Sequence, residues 1–586
     1  MAAGATTIDA LRRENASLRE ENEELRRALE RQREKERAPA ALTALEEEVT
    51  SLRAENDRLK KVLQALEEHL ALLRAKRFGR RSEKGLRGQL TLFDLEAAEG
   101  SEEERAEETI TYTRKKPRRA PARQGFPEHL ARNEYAVDPP EEERVCECCE
   151  SELVRIRSEV TERGDVIPPR VVINRYVRGV WGCRNGCVPP KVADLPPSVV
   201  PKTKWEPSAY AYVAVAKYGD HVPLHRQSAI FRRHGIEMPK STLCDMALAA
   251  AEAIRPVVRE MAREVRKSEV LLADETPIRV AVEEEDGRKG RRGKKKRKFR
   301  TGYLWVYRSP DGEKIAFDFR TNRSRAGPME FLGDWRGTLL TDEYSGYDEV
   351  CRRNGLVRAA CWAHARRRFR EAEESRRPEA QEAVRLIGRL FALERLAGER
   401  IDRLNGKRRE RGADPLSRDE EAEVRLAVRR RWSAGIVSRL KARLLGWMRD
   451  SSILPKSVLG GAVRYLLPEG ARREGVWERF TVFLRDGRVP LDNNAAENAI
   501  RPSVVGRKNW LFAGSTRGGE TAAAMYGLLL TCRALGVNPE EYLSDVLSRL
   551  DRDPPAALTP WAWKRENEAR AAQAAAFAPS RKPLPS

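Results

Sequence analysis

The chain is poor in the features that mark secreted and membrane proteins. It has only nine cysteines in 586 residues, too few for a scaffold held together by disulfides. No run approaches the length of a membrane span, and the N-terminus lacks a charged segment followed by an apolar one, so we expect neither a membrane protein nor a classical secreted protein. Wholesale disorder is also excluded, because 40% of the residues are hydrophobic and can form cores. We therefore expect a cytoplasmic, nucleoid-associated protein.

The charge balance is strongly positive. Lysine and arginine total 112 against 90 aspartate and glutamate residues, which gives a formal net charge of +22. An excess of this size predicts an anionic partner, most economically nucleic acid. At about 150 residues per domain, the length suggests about four domains.

The N-terminal region carries a repeat that is typical of coiled coils. Leucines recur at three- and four-residue spacing over 8–29 and, after Pro39, over 42–73. Asparagine occupies three of the core positions, at Asn15, Asn22 and Asn56. Asparagines at such positions favour a parallel, in-register dimer, so we predict a leucine-zipper-like coiled coil that makes the protein a homodimer or a higher oligomer. The alternative is an amphipathic helix that folds back on its own protein.

Two groups of closely spaced cysteines predict a zinc module. Cys146 and Cys149 form the first pair, and Cys183 and Cys187 form the second. Each short pair lets a tight turn present two sulfurs to one ion, which suits a tetrahedral site with four thiolates. Cys148 could replace either member of the first pair. The alternative is a set of reduced cysteines without metal.

The segment 201–262 has the pattern of a helical DNA-binding region. Helical periodicity breaks at Gly235 and Pro239, and the element before the break is basic. A helix, a short turn with glycine and a further helix resemble a helix-turn-helix DNA reader, although any three-helix bundle could produce the same pattern. The predicted DNA-binding residues here are Arg226, Arg232 and Arg233.

Three acidic residues have the sequence contexts of a metal-dependent phosphoryl-transfer site. Asp274 lies in a buried-strand run, Asp342 ends the fourth strand candidate, and Glu497 lies in the first turns of a helix that Asn494 can cap. An acid in a first strand, one at the end of a fourth and one on a later helix describe a ribonuclease-H-like α/β site. In-line displacement at phosphorus calls for two divalent cations about 4 Å apart, and carboxylates suit hard cations such as Mg²⁺ or Mn²⁺.

A very basic run lies between the first two strand candidates. Ten of the fifteen residues over 286–300 are Lys or Arg, which predicts contact with phosphates. The residues proposed for this contact are Lys294, Lys295, Lys296 and Arg297. A solvated, disordered loop is the alternative.

More cations surround the third acid in the sequence. Arg501, Arg507, Lys508 and Trp510 follow Glu497 and are predicted to clamp DNA, with Trp510 stacking on a base. Core packing of Trp510 is the alternative. His364 precedes an arginine run; it could approach the scissile phosphate or serve as a structural histidine.

The sequence resembles the transposases of the IS66 insertion-sequence family over nearly its whole length. The likeness rests on the leucine repeat and the cysteine-paired segment, and on blocks at 78–84, 221–226, 274–276, 341–347, 361–367, 493–501, 506–512, 538–550 and 558–561. It implies a DDE transposase with Asp274, Asp342 and Glu497 as catalytic acids. One departure is visible: three residues separate Cys183 from Cys187, where the family more often has two, which leaves the exact zinc ligands open.

The resemblance also implies a function. Such a protein binds the terminal inverted repeats of its element in double-stranded DNA, and catalyses metal-dependent 3′-end cleavage and strand transfer into target DNA. Small accessory proteins of the same element are possible partners. The competing interpretations are a catalytically inactive DNA-binding regulator and a ribonuclease-H-like nuclease that does not join strands.

We therefore expect a multidomain chain, built on an α/β ribonuclease-H-like catalytic core with a helical insertion. The expected segments are a coiled coil (1–80), a charged linker (81–140), a zinc-finger-like module (141–200), a helix-turn-helix-like region (201–262), the catalytic domain (263–535, with the insertion at about 375–480) and a C-terminal segment (536–586).

Overall fold

A computed structural model describes most of the chain from residue 203 onward and parts of what precedes it. The described residues are 2–35, 47–60, 63, 66, 171–178, 180–181, 191–192, 194–196, 198–201, 203–283, 297–373, 377–469 and 475–577. The predicted zinc ligands Cys146, Cys148, Cys149, Cys183 and Cys187 and the basic residues Lys294, Lys295 and Lys296 lie outside them. No helix among the described residues is long and apolar enough to cross a membrane.

The chain divides into two compact units, residues 1–92 with 195–586 and residues 93–194. In the second unit, β1 (Val180–Trp181) pairs antiparallel with β2 (Lys191–Val192). These short strands flank the second predicted cysteine pair in the sequence.

The N-terminal helices pair within one chain. In α1 (Ala2–Lys35), Asn15 Nδ2 donates to the backbone oxygen of Asn56 at 3.5 Å, and Asn56 Nδ2, in α2 (47–60), donates to that of Asn15 at 3.3 Å. Both asparagines are buried. Parallel helices in this register would require the connection from Lys35 to Glu47 to span about 44 Å, beyond the roughly 43 Å that twelve extended residues reach. An antiparallel hairpin needs the same connection to span only about 17 Å, so this is the arrangement that the connection fits without full extension.

This hairpin is the fold-back arrangement that the sequence analysis gave as the alternative, while in-register pairing between two copies stays a prediction. Asn15 and Asn56 have each other as partners, so the fold-back alternative describes these residues. The leucine and asparagine pattern was a true signal of a helix–helix seam, because Val49 and Leu59 are buried as well. Assembly of the whole chain into a dimer stays a prediction.

A mixed sheet of five strands occupies the centre of the larger unit. Its strands are β3 (Val270–Glu283), β4 (Arg297–Arg308), β5 (Ile315–Arg320), β6 (Thr338–Thr341) and β7 (Val357–Ala360), in the spatial order β5-β4-β3-β6-β7. The first three strands are antiparallel neighbours, whereas β6 runs parallel to β3 and β7 runs parallel to β6.

Alternation along the strands divides the sheet between two cores. Leu272 and Val306 belong to the main core, while Leu271, Ala273 and Trp305 face a second one. This period of two is the pattern of a sheet buried on both faces. Helices supply the other half of each core, so the central strands are shielded from water.

The main core gathers helices from both ends of the larger unit. It is formed with α3 (Pro207–Tyr218), α4 (Leu224–Arg233), α5 (Lys240–Ala253), α6 (Arg255–Arg266), α15 (Asn494–Trp510), α16 (Thr516–Ala534) and α17 (Pro539–Arg549), and partly with α18 (Pro560–Phe577). The opposite face is covered by α7 (Ala326–Leu332), α8 (Asp348–Asn354) and the end of α6. The predicted helix-turn-helix region thus shares its core with the sheet.

The described residues between β7 and α15 are helical and have a core of their own. They form α9 (Trp362–Glu373), α10 (Pro378–Glu410), α11 (Arg418–Val428), a π-helical segment (Arg429–Ser433), α12 (Ala434–Arg449), α13 (Val458–Leu466) and α14 (Val476–Thr481). A short 3₁₀ segment, Val482–Leu484, then leads towards α15.

One buried arginine joins this helical region to the segment before α15. Arg429 is 1% exposed, and its guanidinium makes two 2.7 Å bonds to the carboxylate of Glu394. The remaining terminal nitrogen donates at 3.0 Å to the backbone oxygens of Phe483, Asp486 and Val489. Because charge and hydrogen bonds are both satisfied, this buried cation is tolerated.

Replacement of Arg429 by alanine should destabilise the protein strongly. It leaves the largely buried carboxylate of Glu394 without its partner, a loss of about 3–5 kcal/mol. Urea unfolding would measure it. The matched control is Arg430→Ala, which removes an exposed neighbouring arginine and should change stability by less than about 0.5 kcal/mol. Equal losses of stability from the two substitutions would contradict the role of Arg429 as the buried partner of Glu394.

Cysteine crosslinking distinguishes the hairpin from a parallel dimer. In the full chain, Asn15→Cys with Asn56→Cys should form a disulfide within one chain under mild oxidation, visible as a shift on a non-reducing gel relative to the wild type. The pair Asn15→Cys with Asp57→Cys, whose second position is exposed, should not form this disulfide. A crosslinked dimer from Asn15→Cys alone would instead support in-register pairing between copies.

Candidate active site

Two of the predicted acids lie side by side at one edge of the sheet. In the parallel pairing of β3 with β6, Leu272 is opposite Leu340. Asp274 and Asp342 each lie two residues further along, Asp274 within β3 and Asp342 directly after β6, so by strand alternation both point to the same face. That face is the one on which Leu272 and Leu340 enter the main core.

The third acid is brought to this edge by α15. Ala496 and Ile500 pack that helix into the main core, and Asn493 immediately before it donates from Nδ2 to the backbone oxygen of Ala273 at 2.9 Å. The backbone N–H of Asn493 also donates to the sulfur of Cys361 at 3.2 Å. Glu497 lies in the first turn of the helix, one turn beyond this anchor.

The pKa of Asp274 reports that the three carboxylates are close together. It is raised well above the ordinary aspartate range, first by burial and then by the negative charges of Glu275, Asp342 and Glu497. A single hydrogen bond, from the backbone N–H of Glu275 at 2.9 Å, works in the opposite direction. The site therefore concentrates negative charge that its own hydrogen bonds do not neutralise.

Asp342 is held by a buried arginine that the sequence analysis did not identify. Arg358 on β7 is 7% exposed and donates at 2.8 Å to the backbone oxygen of Asp342 and at 2.9 Å to that of Tyr344. It also bonds the carboxylate of Asp348. The backbone N–H of Tyr344 in turn donates to Asp342 Oδ1 at 3.0 Å. The only sequence signal was a charge inside an apolar strand run.

A second group that sequence reasoning missed lies on the other face of β3. Glu275 accepts a 2.7 Å bond from Arg323 Nε and a 3.0 Å bond from the hydroxyl of Tyr347. Burial, followed by the charge of Asp342, raises the pKa of Glu275, while Arg323 opposes that shift. Arg323 also stacks on the ring of Tyr344 at 4.0 Å. Because its carboxylate is engaged here, Glu275 supports β3 next to Asp274.

Two basic groups face the carboxylate of Glu497. His364 Nε2 lies 3.7 Å from Oε1 and a terminal nitrogen of Arg367 lies 3.8 Å from Oε2, both in α9. Burial is the largest effect on His364 and lowers its pKa, although Glu497 opposes the shift. The imidazole is therefore mostly neutral at pH 7. Glu497 Oε1 is buried without a hydrogen-bond partner.

Cys361, His364 and Glu497 offer ligand atoms within 4.8 Å of one another. The thiol is a poor metal ligand here, since burial and the nearby charge of Asp492 raise the pKa of Cys361 and a thiolate is what metals bind. Cys361 instead accepts the backbone hydrogen bond of Asn493. Among the described residues, Asp274, Asp342 and Glu497 do not form a group with ligand atoms this close together. Their carboxylates are nevertheless donors of the kind that hard cations prefer.

The predicted DNA-contacting residues are spread over several surfaces. Arg226, Arg232 and Arg233 are exposed on α4, and Lys508 is exposed on α15. Arg501 is half-buried and bonds Asn498. Arg297 begins β4, while its three lysine neighbours lie outside the described residues.

Two of the residues predicted to clamp DNA are engaged with the protein itself. Arg507 donates to Thr276 Oγ1 at 3.0 Å and to the backbone oxygen of Pro277, which ties α15 to β3. Trp510 is half-buried against the main core. The packing alternative therefore describes Trp510, and little of its ring is available for a base.

Replacing Asp274 by asparagine should stabilise the metal-free protein. A raised carboxyl pKa in the folded state means that stability falls as pH rises from the ordinary aspartate pKa to the raised one, and the penalty is complete above it. Asp274→Asn removes this penalty, so its melting temperature near pH 7 in EDTA should exceed that of the wild type by a few degrees, roughly 2–4 °C per kcal/mol relieved.

Cation binding should reverse the order of the melting temperatures of the wild type and Asp274→Asn. Saturating Mg²⁺ should raise the melting temperature of the wild type and have a smaller effect on Asp274→Asn. The exposed acid Asp334 provides a matched control, because Asp334→Asn should respond as the wild type does. A lower melting temperature for Asp274→Asn in EDTA would contradict the crowding of charge.

Comparison with known families and proteins gives consistent results along the chain. A family model described as "Transposase IS66 family" matches residues 202–521, which include all three acids. "Transposase C of IS166 homeodomain" matches 65–134, and "zinc-finger binding domain of transposase IS66" matches 143–185. The last match includes Cys146, Cys148, Cys149 and Cys183 and ends before Cys187.

Full-length relatives extend the match to most of the chain. The uncharacterized protein y4hP of Sinorhizobium fredii (strain NBRC 101917 / NGR234) is 32% identical over 541 residues, covering 86% of this chain and 90% of the relative. The uncharacterized protein y4qI of the same organism is 32% identical over 558 residues, covering 90% and 95%. The family match spans the sheet, the helical region between β7 and α15, and α15 itself, which carries the third acid. The chain therefore belongs to the IS66 family of transposases.

Proposed function

We propose that the protein is the DNA transposase of an insertion sequence and that Asp274, Asp342 and Glu497 are its catalytic acids. The observation that carries this proposal is the convergence of the three carboxylates at one edge of the sheet, although 155 residues separate Asp342 from Glu497. Two strands in register and a helix anchored to β3 bring them together. The chemistry would be hydrolysis at the element's 3′ ends and transfer of those ends to target DNA.

The topology supports a ribonuclease-H-like core. Asp274 lies on the first strand of the sheet in chain order, Asp342 directly after the fourth, and Glu497 on a helix after the last. This is the order that the sequence predicted for such a site. Both aspartates lie where the parallel pairing of β3 with β6 ends, which is the side of a parallel sheet at which ligands bind.

The donor set fits divalent metal. Burial, followed by the charges of the neighbouring carboxylates, raises the pKa of Asp274, and Glu497 Oε1 lacks a hydrogen-bond partner. A bound cation would relieve both. Asp274 and Asp342 would hold Mg²⁺ or Mn²⁺, and Glu497 would complete the coordination. Bound divalent cations supply activation of the oxygen nucleophile and stabilisation of the leaving oxygen.

The surrounding residues position these acids for the reaction. Arg358 fixes the backbone at Asp342 and at Tyr344, two residues further on, and Asn493 fixes the start of α15 against β3. His364 and Arg367 limit the directions in which Glu497 can turn. Preorganised ligands of this kind avoid reorganisation when the phosphate arrives.

The other parts of the chain serve DNA binding and assembly in this proposal. The cysteine-paired module would bind Zn²⁺, with Cys187 as the ligand that lies beyond the family match. Exposed arginines of α4 and the basic run at 286–300 would contact phosphates of the double-stranded element ends and the target. A homodimer would bring two ends together, and small accessory proteins of the element would be further partners.

A strand-transfer assay tests the catalytic assignment. Purified full-length protein is incubated with Mg²⁺, labelled duplexes that carry the ends of the element encoding it, and a target plasmid. Asp342→Ala should reduce cleavage and joining by at least about 10³-fold, equivalent to about 4 kcal/mol of transition-state stabilisation, while end binding stays within a few-fold of the wild type. Asp334→Ala is the control for loss of a surface acid.

The competing functions give different products. Cleaved ends without joined products from the wild type would indicate a nuclease, and end binding without cleavage would indicate a regulator. Strand transfer retained by Asp342→Ala would overturn the assignment of the acids.

A further inference from the structure

An exposed leucine with an unusual backbone ends the helix that carries Glu497. Leu511 follows α15, has φ of +66° and ψ of −40°, and is 65% exposed. The N–H of Phe512 donates to the oxygen of Trp510 at 2.8 Å, so Leu511 is the central residue of a γ-turn of the rare, strained type. A branched side chain in this region is disfavoured. Such outliers concentrate at functional sites.

The neighbouring residues hold the turn in place. Ala513 N–H donates to the oxygen of Arg279 at 2.8 Å, and Ala281 N–H donates to the oxygen of Ala513 at 2.9 Å. Phe512 packs edge-on against Phe299 of β4, with ring centroids 4.8 Å apart. Fastened to two strands on one side and to α15 on the other, Leu511 is presented rigidly to solvent.

The surface around Leu511 is positively charged and partly apolar. Phe299 is 41% exposed, and the guanidinium of Arg279 stacks on its ring at 4.9 Å. Within the described segments 276–282, 298–301 and 505–517 there is no acidic residue. Those segments carry six cations, Arg279, Lys298, Arg300, Arg507, Lys508 and Arg517. The lysine- and arginine-rich run of 286–300 connects the same two strands.

This composition fits DNA better than a protein partner. An apolar protein surface would gain nothing from the cations of Arg279, Lys298 and Arg300 beside it, whereas a phosphate backbone would offset their charge. Leucine and phenylalanine are also the side chains that DNA-distorting proteins insert between base pairs. The rigid apolar side chain thus suits insertion at one base step of a duplex, and the surrounding cations suit binding of the phosphates beside that step.

The position of Leu511 relates it to the catalytic acids. It lies fourteen residues after Glu497 along α15, about 21 Å at 1.5 Å per residue. Ala513 is bridged to Val280, six residues after Asp274 on β3, or about 20 Å along the strand. One duplex can therefore reach both places, with Leu511 roughly six base pairs from the scissile phosphate at 3.4 Å per pair.

We propose that Leu511 is a wedge that enters the stack of the bound DNA end and unstacks a base step a few pairs from the cleavage point. This inference rests on the proposed transposase function. The γ-turn supplies the rigidity that a wedge needs, and the cations of Arg279, Lys298 and Arg300 hold the phosphates on either side. Leu511 is a positioning residue: it would bring the scissile phosphate to the acids by bending the duplex.

Fluorescence of 2-aminopurine tests the wedge directly. The base analogue is placed in turn at each of the terminal positions of an element-end duplex, which is bound to the full-length protein in Ca²⁺. Binding of the wild type should increase the 2-aminopurine fluorescence at one base step, and binding of Leu511→Gly should not. Glycine adopts a positive φ without strain, so this variant keeps the turn. Leu511→Met, which keeps an apolar side chain, should retain most of the signal.

A cleavage assay in Mg²⁺ separates wedging from other roles. Leu511→Gly should cleave paired ends at least about 10-fold more slowly, because the unstacking cost is no longer offset. A mismatch at the brightened step, which removes that cost in advance, should restore its rate to near that of the wild type. The matched control is Leu396→Ala, an exposed leucine of α10, which should behave as the wild type on both substrates.

The outcomes distinguish this inference from the function on which it rests. Unchanged fluorescence with Leu511→Gly, or an equal defect on paired and mismatched ends, would overturn the wedge while leaving the transposase assignment intact. Loss of self-association in place of DNA distortion would identify the patch as a protein interface and overturn the proposal. Absence of end binding and cleavage by the wild type would overturn the proposed function itself.

Discussion

Mutual repulsion of carboxylates is the constraint around which the rest of this fold is arranged. Carboxylates placed near one another repel, and burial together with the charges of Glu275, Asp342 and Glu497 raises the pKa of Asp274. Their positions are fixed through the backbone, by the strand register, by Asn493 on Ala273 and by Arg358 on the oxygen of Asp342. Fixing the backbone leaves the carboxylate oxygens available, which is what a metal site requires.

The helical region between β7 and α15 also helps to fix the position of the third acid. Its Arg429 donates hydrogen bonds to three backbone oxygens in the segment that precedes α15. Through α9 it supplies His364 and Arg367 beside Glu497. The insertion therefore contributes to the site, because its contacts help to orient α15, the helix that carries the third acid.

Sequence reasoning located the acids because their contexts are local. An apolar strand run that contains or ends in an acid is readable in a few residues, and such runs made Asp274 and Asp342 the predicted acids. Arg358 and Arg429 were not predicted, because a buried charge is acceptable only when distant residues supply its partners. The asparagine pattern correctly indicated a helix–helix seam, but Asn15 can meet Asn56 or a second copy with the same spacing. Leu511 could not be predicted for a different reason: nothing about a leucine in the sequence indicates that its backbone has a positive φ.

The bond between Asn493 and Ala273 joins residues 220 positions apart. At about 5–20 residues per second, roughly 10–45 s of synthesis separate the two partners. A nascent chain thus holds its first two acids, and much of its basic surface, well before the third acid exists. Under the proposed function, a product that terminates early would bind the DNA ends without the third acid, and it would compete with the complete protein for those ends.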